Sequence, residues 1–188
     1  MVSSITLKNL IIGYRSKHQL RAIASPVHAS LQAGELTCLI GANGVGKSTL
    51  LRTLAGFQPA LDGEILIQDK SLSDFSAQEL AREISIVLTS KTDHAQLSAE
   101  EIVGIGRSPY TGFWGTLSAA DKQIVASALQ ETGIQHLAQR NISELSDGER
   151  QKVMIAKALA QQTRIIILDE PTAFLDFPSK IETLQMLR

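Results

Sequence analysis

The chain has 188 residues, 18 Lys+Arg against 19 Asp+Glu, and a formal net charge of −1. With 44% hydrophobic and 20% charged residues it is neither disordered nor collagen-like, and its near-neutral balance argues against a general binder of nucleic acid or anionic membranes. A single cysteine, Cys38, excludes an internal disulfide framework, no apolar stretch approaches the ~18 residues of a membrane span, and the amino-terminal segment is no secretory signal. The composition is that of a soluble, cytosolic globular chain of ordinary domain size.

In chain order, residues 5–12 and 26–31 read as strands, joined by residues 64–68 in a mainly antiparallel lobe near the amino end. Residues 36–40 (LTCLI) and 165–168 (IIIL) are short continuous apolar runs. Such runs predict strands buried on both faces of a largely parallel sheet, with residues 84–88 (ISIVL) as a third candidate. Helix starts are marked at Ser76 with Glu79, Ser98 with Glu101, Ser118 with Asp121, and Ser146 with Glu149. In this spacing the hydroxyl accepts from an orphan backbone N–H while the acid reaches back to the cap. Gly56 and Gly133 are candidate carboxyl-terminal caps. Residues 90–143 lack strong strand runs and carry two capped helices, predicting a helical subdomain inserted into an α/β sheet domain.

The segment from Gly41 through Thr49, GANGVGKST, follows an apolar run and opens a helix. Glycines Gly41, Gly44 and Gly46 let the backbone bend so that successive N–H groups, that of Asn43 among them, converge on phosphate oxygens. Lys47 is placed to reach the β- and γ-phosphates, and Ser48 to ligate Mg²⁺, with Thr49 completing the helix start. This is the pattern of a nucleotide site. Asp169 and Glu170 follow the IIIL run at the carboxyl end of a predicted strand, the edge where ligands of open α/β sheets bind. Asp169 is the candidate Mg²⁺ holder and Glu170 the candidate to polarise an attacking water. By spacing alone, Ser146-Asp147-Gly148-Glu149 is a capped helix start and nothing more.

Four segments in this order resemble the ATP-binding subunit of ATP-binding cassette (ABC) transporters. GANGVGKST resembles Walker A, LSDGE the signature motif, RIIILDEP Walker B, and Phe174-Leu175-Asp176 the D-loop. Tyr14 matches the aromatic position that stacks on adenine in that family, and the resemblance runs over essentially the whole chain. Gly106-Arg107-Ser108-Pro109-Tyr110 resembles a stretch typical of importers for iron–siderophore complexes, haem and cobalamin. Three features depart from the family. No Gln closes the 84–88 strand, where Thr89 stands instead, and the signature carries Asp147 and Glu149 in place of the usual Gly and Gln. His18, His28, His94 and His136 all precede Asp169, so none is the family's switch histidine.

The resemblance implies a P-loop NTPase fold of ABC type over residues 1–188, with ATP and Mg²⁺ as ligands and ATP hydrolysis as activity. It implies a head-to-tail homodimer in which Ser146 and Gly148 of one copy cap the ATP held by the other, with Asp176 in the D-loop. It further implies transmembrane permease subunits, a substrate-binding protein, and a peripheral place on the cytoplasmic face of the inner membrane, with no direct nucleic-acid partner. The alternatives are a soluble ABC-family ATPase acting on nucleic acid or the ribosome, and a nucleotide-binding fragment without turnover. Against the family, 188 residues is short by several tens at the carboxyl end, so ATP affinity is expected to survive better than turnover.

Overall fold

The computed structural model describes residues 3–15, 19–24, 26–88, 96–173 and 175–186. Thr89, Phe174, His18, His94 and the start of the 90–143 segment lie outside them. The chain divides into two compact units, Met1–Leu80 and Ala81–Arg188.

In the first unit β1 (Ser3–Ile11) is the central strand. It pairs antiparallel with β4 (Val27–Gln32) on one side and β5 (Asp62–Ile67) on the other, and β6 (Lys70–Ser71) extends β5. Ile5 and Leu7 alternate with Thr6 and Lys8, so the period-two pattern places one apolar face inward, where Leu10, Ile65 and Ile67 join it. A short ribbon, β2 (Gly13–Arg15) with β3 (Leu20–Ala22), carries Tyr14 opposite Arg21. One helix, α1 (Lys47–Leu54), follows the glycine-rich loop, and Gly56 succeeds it with positive φ, as expected of its carboxyl cap. α2 (Ala77–Glu83) begins at Ser76, whose hydroxyl accepts from Glu79 N–H while the Glu79 carboxylate accepts from Ser76 N–H.

Residues 36–40 correct the expectation of a buried strand. They form no strand, and Leu36 and Ile40 are 68% and 90% exposed. An apolar run becomes a strand only where another strand satisfies its N–H and C=O groups, and among the described residues none pairs with this one. Among the described residues the parallel sheet is represented by one pair in the second unit, β7 (Ile84–Val87) beside β8 (Ile165–Leu168), in register from Ile84 opposite Ile165 to Val87 opposite Leu168.

The described remainder of the second unit is largely helical. α3 (Ala99–Ile105), α4 (Ala119–Glu131) and α5 (Asp147–Ala160) share one core in which Ile102, Val103, Val125, Leu129, Val153 and Ala156 are sealed from solvent. All three start with the reciprocal Ser–acid capping box that the spacing predicts. Each such cap is worth about 1 kcal/mol, and it fixes where the helix begins. α6 (Phe177–Met186) closes the described chain.

Arg107 ties this helical core together. It is only 5% exposed, and its guanidinium donates to the Asp121 carboxylate (2.9 Å), to Ala160 C=O (2.8 Å) and to Gln162 Oε1 (3.1 Å). The end of α3, the start of α4 and the end of α5 thus meet on one side chain. Tyr110 packs its ring against Arg107 (4.1 Å) and Arg82 (5.2 Å), and Arg82 also bonds Pro109 C=O. Within the Arg-x-Pro-Tyr stretch Arg107 is thus a buried knot and Tyr110 lies over it at the surface, while Phe113 and Trp114 beyond it stand 96% and 87% exposed.

Ser118 hydrogen bonds and the Arg107 bond hold the Asp121 carboxyl below its ordinary value of 3.8. A carboxyl lowered in the fold stabilises the fold fully above its unfolded value and loses that contribution as pH falls through the lowered folded value. Arg107→Met leaves the Asp121 carboxylate without its buried partner. It is expected to lower the thermal midpoint at pH 7 by more than ~5 °C, a loss that shrinks once the pH has fallen through the lowered Asp121 value. Circular-dichroism melts at pH 7 and below that value check both parts.

Candidate functional site: a phosphate loop and a strand-end carboxylate pair

In the first unit the loop from Gly41 through Gly46 leads directly into α1. Gly46 is the N-cap, with φ of 106°, a left-handed conformation that side-chain-bearing residues rarely adopt. A Cβ there would also lie 2.6 Å from Ile23 Cγ2, so both backbone and space demand glycine. Gly44 is likewise left-handed, at 78°. No side chain caps α1 at its N-cap and no acid lies in its first turn, whereas α3, α4 and α5 each fill that place with their own carboxylate. The amino end of α1 thus keeps its dipole and its N-terminal donors unopposed by any acid of its own first turn, the condition for receiving an anion.

Lys47, the first residue of α1, folds back so that Nζ donates to Gly41 C=O (2.8 Å) and Ala42 C=O (3.0 Å). The ammonium is held over the loop by two neutral acceptors, which a phosphate's charged oxygens outbid. Asn43 and Gly41 are exposed, Ser48 is half-buried, and Thr49 is buried with its hydroxyl 3.2 Å from that of Tyr14. Tyr14 is 54% exposed, so its phenol is anchored on α1 while much of the ring faces solvent beside the loop's helix. Such a ring offers a stacking face to a nucleobase. Tyr14→Ala is expected to weaken ATP binding roughly tenfold and to leave inorganic triphosphate binding unchanged, whereas Tyr14→Phe, which keeps the ring, retains nucleotide affinity. Competition titrations with the two ligands distinguish stacking from mere packing.

In the second unit Asp169 continues the parallel ladder beyond β8, its N–H donating to Val87 C=O (2.9 Å), and is 7% exposed. Glu170 turns outward with φ of 50°, an uncommon value for a residue with a side chain, and its C=O accepts from Ala173 N–H. Two adjacent carboxylates are thereby split: one is buried at the strand's carboxyl end and the other is exposed at its rim. Both lie where the sequence places them.

Ser146 caps α5. Its hydroxyl accepts from Glu149 N–H, and Glu149 Oε2 lies 2.8 Å from Ser146 N and 2.7 Å from Ser146 Oγ. Those bonds, the backbone one foremost, hold the Glu149 carboxyl below its ordinary range. Asp147 pairs with Arg150 at 3.6 Å. The amino end of this helix is therefore closed by the chain's own carboxylate, unlike that of α1. Asp176 starts α6, its carboxylate accepting from Ser179 N–H (3.2 Å). Two positions take their structural role only from the fold. Arg107 was legible only as part of a short motif, and Ser179 only as the third residue after Asp176, the Asp-x-x-Ser spacing of a helix cap.

The profile of the ABC transporter family matches residues 24–173, which include the phosphate loop, the capped α5 and the β8 carboxylates. The chain belongs to the ABC transporter family. Among relatives, an uncharacterized ABC transporter ATP-binding protein of Methanocaldococcus jannaschii is 39% identical over 96% of this chain and 61% of its own length. The iron(3+)-hydroxamate import ATP-binding protein of Bacillus subtilis is 37% identical over 99% of this chain and 68% of its own. This ABC chain thus spans about three-fifths to two-thirds of the length of these curated relatives. A solved dimer of the ATP-binding cassette MJ0796, in a post-hydrolysis state bound to ADP and Pi, superimposes with a TM-score of 0.82. It is 26% identical, over 97% of this chain and 81% of that one. The fold class is the expected α/β P-loop NTPase of the ABC type.

Proposed function

We propose that the chain is the nucleotide-binding part of an ATPase subunit that powers an ABC importer for iron–siderophore complexes, haem or cobalamin. The observation that carries the reading is the amino end of α1, where a left-handed Gly46 takes the place of a side-chain cap and Lys47 leans over the loop. The cargo class is supported by the Arg107-Ser108-Pro109-Tyr110 stretch and by the iron(3+)-hydroxamate importer among the relatives.

The residues fit MgATP by chemistry. Loop N–H groups, the α1 dipole and the Lys47 ammonium suit a polyphosphate. The Ser48 hydroxyl of the first unit and the buried Asp169 carboxylate of the second are each, by chemistry, the kind of hard oxygen donor that Mg²⁺ selects. When bound, the ion supplies charge neutralisation on the phosphates. Lys47 holds the β- and γ-phosphates, Tyr14 stacks on adenine, and Glu170, exposed at the strand end, orients and polarises the attacking water. Gly41, Asn43, Gly44, Gly46 and Thr49 shape the cradle.

Two copies facing head to tail bring Ser146 and Gly148 of one to the nucleotide of the other, with Asp176 at the same interface, and such two-fold pairing builds two equivalent composite sites. The dimeric cassette bound to ADP and Pi among the solved structures supports pairing of two copies. No described helix is long and apolar enough to cross a membrane. The subunit is placed at the cytoplasmic face through permease subunits that dock on the helical segment 90–143, with a substrate-binding protein delivering cargo. Reconstitution of the full-length protein with its permease in vesicles tests the reading. ATP-driven uptake of a ferric hydroxamate is expected, and ribosome or nucleic-acid association without membrane partners overturns it.

A further inference from the structure

Gly148 sits in the first turn of α5, yet its φ is not in the left-handed region that would demand glycine there. Glycine costs a helix about 1 kcal/mol relative to alanine, so another constraint is expected at this position. The structure supplies it: a Cβ on Gly148 would lie 2.8 Å from Ser179 Oγ and 3.2 Å from Ser179 Cβ, both on α6. The Ser179 hydroxyl is also hydrogen-bonded to the Asp176 carboxylate, and its N–H donates to the same group at 3.2 Å. One turn further on, Lys152 of α5 meets Glu182 of α6 at 2.6 Å, so the two helices run side by side in the same direction from this contact. A row of neighbouring groups therefore runs from the Asp176 carboxylate through Ser179 to the place a Gly148 Cβ would take, all within one subunit.

We infer that Ser179 is a positioning residue that seats the signature turn Ser146–Gly148 against the segment starting α6, and that Gly148 is glycine because Ser179 occupies the space of its Cβ. The contact makes Asp176 and the signature turn move as one body, so that both present themselves to a partner subunit together. The contact itself is a property of this chain alone. Its consequence for turnover rests on the ATPase reading above.

Two measurements on the full-length protein test it, each variant being checked by thermal melting. The first needs no nucleotide: Gly148→Cys with Ser179→Cys in a Cys38→Ser background places two thiols at near-disulfide spacing. Mild oxidation is expected to remove both free thiols without ATP, and thiols that persist overturn the contact. The second is a suppressor test by phosphate release. Gly148→Ala is expected to lower ATP turnover at least ~10-fold, and adding Ser179→Gly, which removes both clashing atoms, to recover roughly 10-fold over the single variant. A folded double variant no more active than Gly148→Ala, or a Gly148→Ala variant of undiminished activity, overturns the positioning role. Absence of turnover in the unmodified protein instead overturns the ATPase reading, and the thiol result still decides the contact.

Discussion

Replacing Lys47 by alanine is expected to reduce MgATP affinity by about 100-fold or more. Hydrogen bonds from a charged donor to phosphate are worth roughly 1.5–3 kcal/mol each, and Lys47 is placed to make more than one. The ammonium lies over the loop on two backbone carbonyls, 2.8 and 3.0 Å away, and needs only to exchange them for phosphate oxygens. Because those bonds also tie the loop, the melting temperature of the variant must be followed beside its affinity. A modest fall in midpoint with a large loss of binding identifies Lys47 as a phosphate ligand. Unchanged affinity in calorimetry sinks the phosphate-loop assignment, whatever happens to stability.

Glu170→Gln has the opposite signature. In the full-length protein the variant is expected to bind ATP as tightly as the parent while turnover falls by roughly 100- to 10,000-fold, the span typical of losing a general base. Glutamine keeps the size of the side chain and its ability to hold a water, but not the charge that polarises it. Glu170 is exposed and does not serve as the partner of a described salt bridge, so the substitution removes no structural ion pair. A normal rate of phosphate release from the variant would remove Glu170 from that role and return the question to other acids at the rim of β8.

What could be read from sequence and what could not divides by distance along the chain. The four Ser-x-x-acid boxes are satisfied inside four residues, and their bonds appear at Ser76, Ser98, Ser118 and Ser146 as the spacing predicts. The glycine-rich loop is largely local, because its left-handed N-cap and the Lys47 bonds to Gly41 and Ala42 close within the segment, with Ile23 adding a distant crowding of Gly46. Strands β1, β5, β7 and β8 were legible from alternation or from apolar runs, to within a residue or two at their ends.

Residues 36–40 show the limit of that reading. Like β8 they are a short apolar run, but a strand is completed by hydrogen bonds to a neighbour, and an apolar run does not say which neighbour is present. Arg107 shows the same limit from the polar side. An arginine in a loop-like stretch reads as surface, and only the convergence of Asp121, Ala160 and Gln162, up to 55 positions away, explains its burial. Gly148 reads from sequence as part of a capped helix start and, by resemblance, of the signature motif; that Ser179, 31 positions later, stands where its Cβ would be is seen only in the fold.

The amino-acid sequence by itself therefore determined the phosphate loop, the helix starts and the order of the family's motifs, since each rests on backbone conformation and hydrogen bonds closed within a few residues. The tertiary structure decided which apolar runs are paired, which charge is buried as a knot, and which glycine yields its volume to a distant serine. Those outcomes depend on atoms that meet only after the chain has packed, where a neighbour's hydrogen-bonding edge or a missing methyl group is set by residues far away in sequence.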